Sequence, residues 1–269
     1  MTENASPQLG LMDAYTPAKI AERIEAAGVA KAALPFLKLA MLGLLAGAFI
    51  AFGAMWFTLT MTGNTLGFGP SRLLGGAAFS LGLILVVIAG AELFTGNNLI
   101  VMAWADGRVT ALQLLRNWGV AYVANFIGAV GAAALVTLAG SFAMGDGAVG
   151  ETAAKIAAGK VALPFAEAFF RGILCNALVC LAVWLSMAAH SVSGKAIVIV
   201  FPIAAFVALG FEHSIANMYF IPVAMMHGAE GVTLSGLVGN LIPVTLGNIV
   251  GGSGFVALVY WVIYGRQNG

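Results

Sequence analysis

At 269 residues, with 61% hydrophobic and only 9% charged side chains, the chain lies far from the roughly 25% charged residues of an average soluble domain, and an ordinary soluble globular fold is excluded. Twelve Lys and Arg against 11 Asp and Glu leave a formal net charge of +1 at pH 7, so no charge excess points to nucleic acid or to a strongly acidic substrate. Cys175 and Cys180 lie inside one apolar run; their spacing fits neither a zinc site nor a disulfide framework, and both read as small core hydrophobes.

The first 30 residues are polar and contain no short apolar core followed by a cleavage site, so no signal peptide is expected and the N-terminus is expected to stay in the cytoplasm. After Pro17, Ile20, Ile24, Ala27 and Val29 alternate with Lys19, Glu22, Arg23 and Glu25 at helical spacing. The stretch 17–34 is predicted as an amphipathic cytoplasmic helix, either a surface and packing element or a mobile cap over a cytoplasmic mouth. Residues 1–34 are thus expected to form a cytoplasmic segment, with the apolar runs confined to 35–269.

A helix needs roughly 20 apolar residues to cross a bilayer. Reading from charge to charge, the candidate spans are Leu39 to Met61, Leu73 to Ala105, Trp118 to Met144, Ile173 to Ala189, Ala196 to Met226 and Gly239 to Tyr264. The predicted fold is therefore an all-α membrane protein of six transmembrane helices joined by short loops. With the N-terminus inside, Lys19, Arg23, Lys31, Lys38, Arg108, Arg116, Lys195 and Arg266 fall on one side and Arg72, Lys155 and Lys160 on the other, with Arg171 in or beside the fourth span. The bias places both termini in the cytoplasm.

The second and fifth runs are too long for one simple span, and each is interrupted at its middle. Gly90, Glu92 and Asn97 in the one have the same spacing as Gly210, Glu212 and Asn217 in the other, at an offset of 120 residues. Asn117, Asn125, Gly128 and Gly131 of the third run match Asn240, Asn248, Gly251 and Gly254 of the sixth at an offset of 123. The repeat unit holds three spans, and an odd number makes the second copy enter from the opposite face, so an inverted repeat is expected. Non-helical backbone at membrane depth is tolerated only where protein or a cavity satisfies it. Each break is accordingly predicted as a short loop followed by the N-terminus of a half-helix, with Thr95 and Ser214 as cap residues. Two such N-termini would favour a small anion without a fixed, strongly binding cation.

His213 is the histidine inside a span, His190 and His227 lying at the ends of runs. It is either a hydrogen-bonded packed side chain or, as an ionisable group at a midplane break, part of a transport route. Glu92, Asn97 and Asn217 are expected to serve the breaks, Glu92 by tying the broken end to neighbouring backbone N–H groups; Glu212, at the equivalent position of the second repeat, either does the same or contacts the solute as a pore residue. Glu167 and Arg171 can pair at i,i+4, and Asn176, deeper in that helix, reads as an amide facing the pathway near His213. Lys155 and Lys160 either sit in a solvated loop or concentrate anions at the extracytoplasmic mouth. Phe79, Leu83 and Phe206 either pack the core or close apolar constrictions on the two sides of a polar centre. The many glycines of the spans allow close helix contact.

Val87-Ile-Ala-Gly-Ala-Glu-Leu-Phe-Thr-Gly96, Gly172-Ile-Leu-Cys-Asn-Ala-Leu-Val-Cys-Leu-Ala-Val-Trp184, Gly210-Phe-Glu-His-Ser-Ile-Ala-Asn-Met218 and Asn240-Leu-Ile-Pro-Val-Thr-Leu-Gly-Asn-Ile-Val-Gly-Gly252 are long, specific strings. Through them nearly the whole chain resembles the formate/nitrite transporter family, and more closely its formate channel branch. The resemblance implies an aquaporin-like protomer with its own pore, a homopentamer, and residence in the bacterial inner membrane with lipid around it. It implies Leu93, Phe94 and Thr95 as the loop beside a cytoplasmic constriction narrowed by Leu83 and Phe94, and Phe79 and Phe206 as the extracytoplasmic one. His213 would be the central residue, supported by Thr95 and Asn176, with Lys160 attracting anions. Residues 20–32 are similar to the formate-branch segment that gates the pore and meets pyruvate formate-lyase.

The expected function is passive or proton-coupled passage of small monovalent anions, formate first and nitrite, hydrosulfide or a short carboxylate second, with no enzymatic activity, metal or cofactor. A neutral-solute channel of the aquaporin kind is the competing class, although its Asn-Pro-Ala pairs are absent. A haem-bearing membrane subunit would need axial histidines on facing helices.

Overall fold

The computed structural model describes residues 14–265, and the cytoplasmic charge expected at Arg266 and the first 13 residues of the N-terminal segment lie outside them. Helix α1 (Pro17–Ala32) is capped by the Thr16 hydroxyl, which accepts from the Lys19 amide, and Pro17 occupies its first position, where a missing N–H costs nothing. It buries Ile20, Ala21, Ile24, Glu25, Gly28 and Ala32; of the expected apolar stripe Ile20 and Ile24 are buried while Ala27 and Val29 are half-buried, and Glu25, expected on the polar face, turns inward. The apolar helix α2 (Phe36–Met61) follows directly behind Pro35.

The second run starts as α3 (Phe68–Phe79) and α4 (Leu81–Ile84), widens into a π-helical turn over Leu85–Gly90, and breaks. Gly90, at φ +87°, reverses the chain there, a conformation that glycine adopts without a side-chain clash. The chain resumes as a 3-10 turn, Gly96–Ile100, and α5 (Val101–Ala105). Then α6 (Ala111–Leu138) opens on a capping box between Thr110 and Gln113.

The stretch before the fourth run, expected to be a loop, contains a further helix, α7 (Ala148–Val161), carrying Lys155 and Lys160. After α8 (Phe165–Ala188) the fifth run divides into α9 (Val192–Ala208) and α10 (Ser214–Met226), with Gly210 at φ +75° between them. The last run is α11 (Leu234–Ile249), continued by wider π turns at Val250–Leu258 and Trp261–Gly265. Among the described residues, five helical stretches are long and apolar enough to cross a membrane, and α9 and α10 are shorter apolar helices on either side of the second break. Outward-facing Phe52, Trp56, Leu135, Phe170, Phe201 and Phe255 leave an apolar exterior, as a protein solvated by lipid requires.

Two close helix pairs carry the frame. Helix α2 lies against α6 through Gly43, Gly47 and Gly128, and α8 against α11 through Gly172, Gly247 and Gly251. A Cβ on Gly128 would sit 2.0 Å from the Leu44 carbonyl oxygen, and one on Gly251 2.1 Å from that of Ile173. Backbone in a helix cannot step aside as a side chain can. Gly128→Ala should therefore cost at least the roughly 1–3 kcal/mol of ordinary overpacking. Its melting temperature in detergent, set beside that of Gly131→Ala, which has open space, checks this; equal melting would show that α2 and α6 are not held at this distance.

Candidate functional site

At each break, backbone groups that a continuous helix would pair are left over inside an apolar protein, and asparagine amides take them up. The Asn125 amide donates to the carbonyls of Gly43 (2.7 Å) and Glu92 (2.9 Å), and its oxygen accepts the Phe94 N–H at 2.9 Å. Asn248 does the same at the second break: it donates to Gly172 and Glu212 at 2.8 and 3.0 Å and accepts from the Ser214 N–H at 2.9 Å. One amide satisfies both donors and acceptors, which a hydroxyl or carboxylate cannot do with the same geometry.

A ring of four residues secures each break from the side. Lys31 Nζ donates to Glu92 (2.7 Å) and Asn97 (3.1 Å), Asn97 donates to Glu92 (2.8 Å) and Asn117 (2.9 Å), and Asn117 returns to the Lys31 carbonyl at 3.0 Å. In the second ring Lys160 Nζ donates to both Glu212 oxygens (3.0 and 3.1 Å), Asn217 to Glu212 (2.6 Å) and Asn240 (2.7 Å), and Asn240 to the Lys160 carbonyl at 2.9 Å. Glu92, Glu212, Asn97 and Asn217 thus secure the breaks, but their side chains bond to the lysine and asparagine side chains of the rings rather than to the backbone N–H groups expected. Lys31 and Lys160 are the partners that the sequence reading missed in this role. The missed signal is a near-identical string, Lys31-Ala-Ala-Leu-Pro-Phe36 and Lys160-Val-Ala-Leu-Pro-Phe165, at an offset of 129. It makes α1 and α7 counterparts, each ending in the lysine of its ring.

Between these matched frames lie positions where the two halves differ. At an offset of 120, Leu93, Phe94 and Thr95 correspond to His213, Ser214 and Ile215; at 129, Gly47 corresponds to Asn176. Of these, Thr95 and His213 meet. Thr95 and His213 are buried, and Thr95 Oγ1 lies 2.9 Å from His213 Nε2. His213 is itself the N-cap of α10: its Nδ1 accepts the Ala216 N–H at 3.1 Å. This corrects the capping expectation, because Ser214 is the first helical residue and Thr95 makes no side-chain cap bond. With Nδ1 as acceptor, the neutral imidazole carries its proton on Nε2 and donates to Thr95. The Thr95 hydroxyl hydrogen is then free to donate onward. Asn176 reaches the centre indirectly, donating to the Thr95 carbonyl (3.2 Å), Asn98 Oδ1 (2.7 Å) and the Asn248 carbonyl (2.7 Å).

A cavity of about 300 Å³ approaches this pair from the α7 side, lined by Phe79, Lys160, Phe206, Glu212 and His213 among others. Phe79 and Phe206 meet edge to face with centroids 5.7 Å apart, and Phe206 lies 5.9 Å from the His213 ring. A second cavity, about 420 Å³, opens on the α1 side beside Lys31, Leu83, Glu92, Leu93 and Asn97. Phe94 lines neither cavity; its ring packs against Tyr122 and Trp118, at 4.9 and 6.0 Å. Beside Leu83 the wall is made by Leu93. The first cavity reaches His213, whereas the second ends at Leu93 and Gly96, on either side of Thr95 in the chain, and Thr95 lines neither.

Helix α1 bears a titratable contact of its own. Glu25 is buried, with Oε1 unpartnered and Arg108 3.8 Å from its other oxygen. Burial, then the nearby Asp106 charge, raises its pKa, against a lowering by Arg108 and with a lesser rise from Glu22. A carboxyl whose pKa rises on docking binds its proton more tightly docked, so docking strengthens as pH falls and weakens as pH rises through the raised value. Protection factors of the amides across 17–32, each rate corrected for intrinsic base-catalysed exchange, should be larger at pH 5 than at pH 8. In Glu25→Gln they should be large at both, and a pH difference in protection that survives would exclude Glu25 as the cause.

Comparison with known proteins gives one direction. Residues 18–262 match the family model described as formate/nitrite transporter. The chain is 42% identical over 275 residues to the formate channel FocA of Escherichia coli K12, covering 95% of this chain and 96% of that one. It is 45% identical over 270 residues to the probable formate transporter of Methanothermobacter thermautotrophicus, covering 94% and 98%. Among solved structures, a pentameric formate channel with formate bound superposes with a TM-score of 0.80 at 40% identity, over 86% of this chain and 98% of that one. An FNT family ion channel gives 0.84 at 30% identity, over 91% and 98%.

Proposed function

The chain belongs to the formate/nitrite transporter family, and from that premise we propose that it is a membrane channel passing small monovalent anions, formate before nitrite, by way of the Thr95–His213 pair. The relatives are channels and transporters rather than enzymes. The observation that carries the mechanism is the hydrogen bond from His213 Nε2 to Thr95 Oγ1, buried between a cavity that reaches His213 and one that ends at Leu93 and Gly96. A bare anion cannot cheaply enter an apolar slit. Thr95, polarised by His213 behind it, offers a strong donor without a fixed charge that would trap the ion. A weak acid such as formate takes up a proton in the vestibule and crosses the Phe79–Phe206 or Leu83–Leu93 constriction as the neutral acid.

The rest of the architecture follows this reading. Six spans in two inverted repeats, with both termini in the cytoplasm, accord with the paired rings at Lys31 and Lys160 and with an odd number of spans per unit. We assign residues 35–269 to the pore, 1–34 to a cytoplasmic segment, and the apolar exterior to lipid and to neighbouring protomers of a homopentamer in the inner membrane. Contact of 20–32 with pyruvate formate-lyase rests on the family resemblance alone.

Formate and nitrite flux into proteoliposomes at pH 5 and pH 7, with swelling in a neutral solute as control, tests the reading. Formate flux that exceeds nitrite flux and rises on acidification is expected. Passage of the neutral solute alone would make this an aquaporin-like channel.

A further inference from the structure

We propose that Arg72 draws anions to the α7-side mouth by holding a positive charge, paired with no carboxylate among the described residues, against the carbonyl end of α9. The inference rests on the anion-channel reading above.

Helix α9 ends at Ala208, directly before the break. The last carbonyls of a helix carry the equivalent of roughly half a negative charge, here facing the cavity through which an anion would approach His213. Arg72, reaching across from α3, covers them: Nε donates to the Ala208 carbonyl at 3.0 Å and Nη2 to that of Val207. Arg171 of α8 adds a longer bond to the Gly210 carbonyl, 3.5 Å. Both guanidinium groups line the cavity.

The other cations of that cavity are offset. Lys160 is paired with Glu212 at 3.0 Å, Lys155 with Glu151 at 3.6 Å and Arg171 with Glu167 at 3.0 Å. Among the described residues no carboxylate pairs with Arg72. Its acceptors are the helix-end carbonyls, which offset at most about half a charge, so a net positive charge is left to act on the vestibule. It is also held in place, because a guanidinium presents two donors in one plane to two successive carbonyls.

The arrangement is one-sided. At the repeat offsets, Val192 stands where Arg72 would have a counterpart and Leu42 where Arg171 would. In the α1-side cavity Lys31 is paired with Glu92. A position where the matched frames diverge is a position where the two mouths can act differently. Arg72 also clamps the residue next to Phe206, so the constriction and the charge that precedes it are held by one side chain.

The test compares wild type, Arg72→Gln, Arg72→Lys and Arg171→Gln as purified protein in proteoliposomes, reading formate flux at about 10 mM and about 0.5 M ionic strength. Between these, the reach of an exposed charge shrinks from roughly 30 Å to a few ångströms. Arg72→Gln, which keeps a donor for Ala208 but loses the charge, should lose about tenfold in flux at low ionic strength, at the low end of what focused charge contributes to encounter. That loss should largely vanish at high ionic strength. Arg72→Lys should stay within twofold of wild type, and Arg171→Gln should lose less than Arg72→Gln. Wild-type flux and salt dependence in Arg72→Gln would overturn the proposal. So would equal losses in the Gln and Lys variants at both ionic strengths, the mark of a purely structural role. If Arg72→Gln does not assemble, Arg72→Lys decides: a tenfold loss at low ionic strength overturns the proposal. Wild type that carries no formate would instead fail the anion-channel reading itself.

Discussion

Replacing His213 with Asn should leave an assembled protein whose formate flux at pH 7 is lower by tenfold to a hundredfold. The choice of residue follows from the two jobs of the ring. His213 Nδ1 accepts the Ala216 N–H and Nε2 faces Thr95 Oγ1 at 2.9 Å. An asparagine oxygen can take over the capping bond, but its short side chain cannot reach Thr95. The variant therefore separates the donor from the cap, whereas His213→Phe loses both. A hydrogen bond to a charged group contributes about 1.5–3 kcal/mol, which at about 1.4 kcal/mol per factor of ten gives the stated range. The deficit should narrow at pH 5, where more of the substrate arrives already protonated and needs less polarisation. An assembled Asn variant with wild-type flux at pH 7 would remove His213 from the transport mechanism. His213→Phe should show the same flux deficit with a lower melting temperature, because the Ala216 N–H then loses its partner.

The second large effect concerns the ring at the α7 side. Lys160→Met should destabilise the protein by about 3–5 kcal/mol, the usual cost of removing one member of a buried ion pair. Glu212 is buried, and without Lys160 its carboxylate keeps only the Asn217 amide as a side-chain donor. The double variant Lys160→Met with Glu212→Gln should recover much of this loss, because the remaining group is neutral and can still accept from Asn217. Unfolding in detergent across the four-member cycle measures the coupling, and additive losses would show that the two side chains do not act as a pair. Lys31 and Glu92 should behave alike but more weakly, since the Lys31 side chain is 31% exposed against 14% for Lys160.

This pairing changes the weight given to Lys160. The resemblance implies a free cation drawing anions to the mouth, whereas the structure commits its ammonium group to Glu212 and to the break beside it. Among the described residues, the cation of the same vestibule without a carboxylate partner is Arg72, a residue that enters the sequence reading only as one of the extracytoplasmic charges. The string that Lys160 shares with Lys31 marks it as a repeat position, which Arg72 is not, but tells nothing of the group that either side chain meets. Which carboxylate or carbonyl a long basic side chain meets depends on elements more than 50 residues away: Glu212 for Lys160, Ala208 for Arg72.

The same limit explains the remaining differences. Ser214 and Thr95 have the composition of N-caps, yet His213 caps α10, because only the backbone geometry of the break determines which side chain can fold back onto a free N–H. Phe94 belongs to a loop beside the constriction, but Asn125 holds its amide while Tyr122 and Trp118 receive its ring, and Leu93 is left on the vestibule wall. Helix α7 went unrecognised because its composition, Ala- and Gly-rich with Glu151, Lys155 and Lys160, is that of a solvated segment. Its counterpart α1 was legible because a clear apolar stripe crosses it.

By itself the sequence determined the apolar character of the chain, the two interrupted runs, the duplicated Glu and Asn positions within them, and the ionisable residue at the second break. These are consequences of composition and spacing, since a polar side chain can recur at membrane depth only where folded protein satisfies it. Tertiary structure alone decided that His213 donates to Thr95, that each break is closed by a lysine from a neighbouring amphipathic helix, and that Arg72 covers the end of α9. Those contacts join segments distant in the chain, and a hydrogen bond depends on a few tenths of an ångström and on direction, neither of which is encoded in the spacing of residues along one helix.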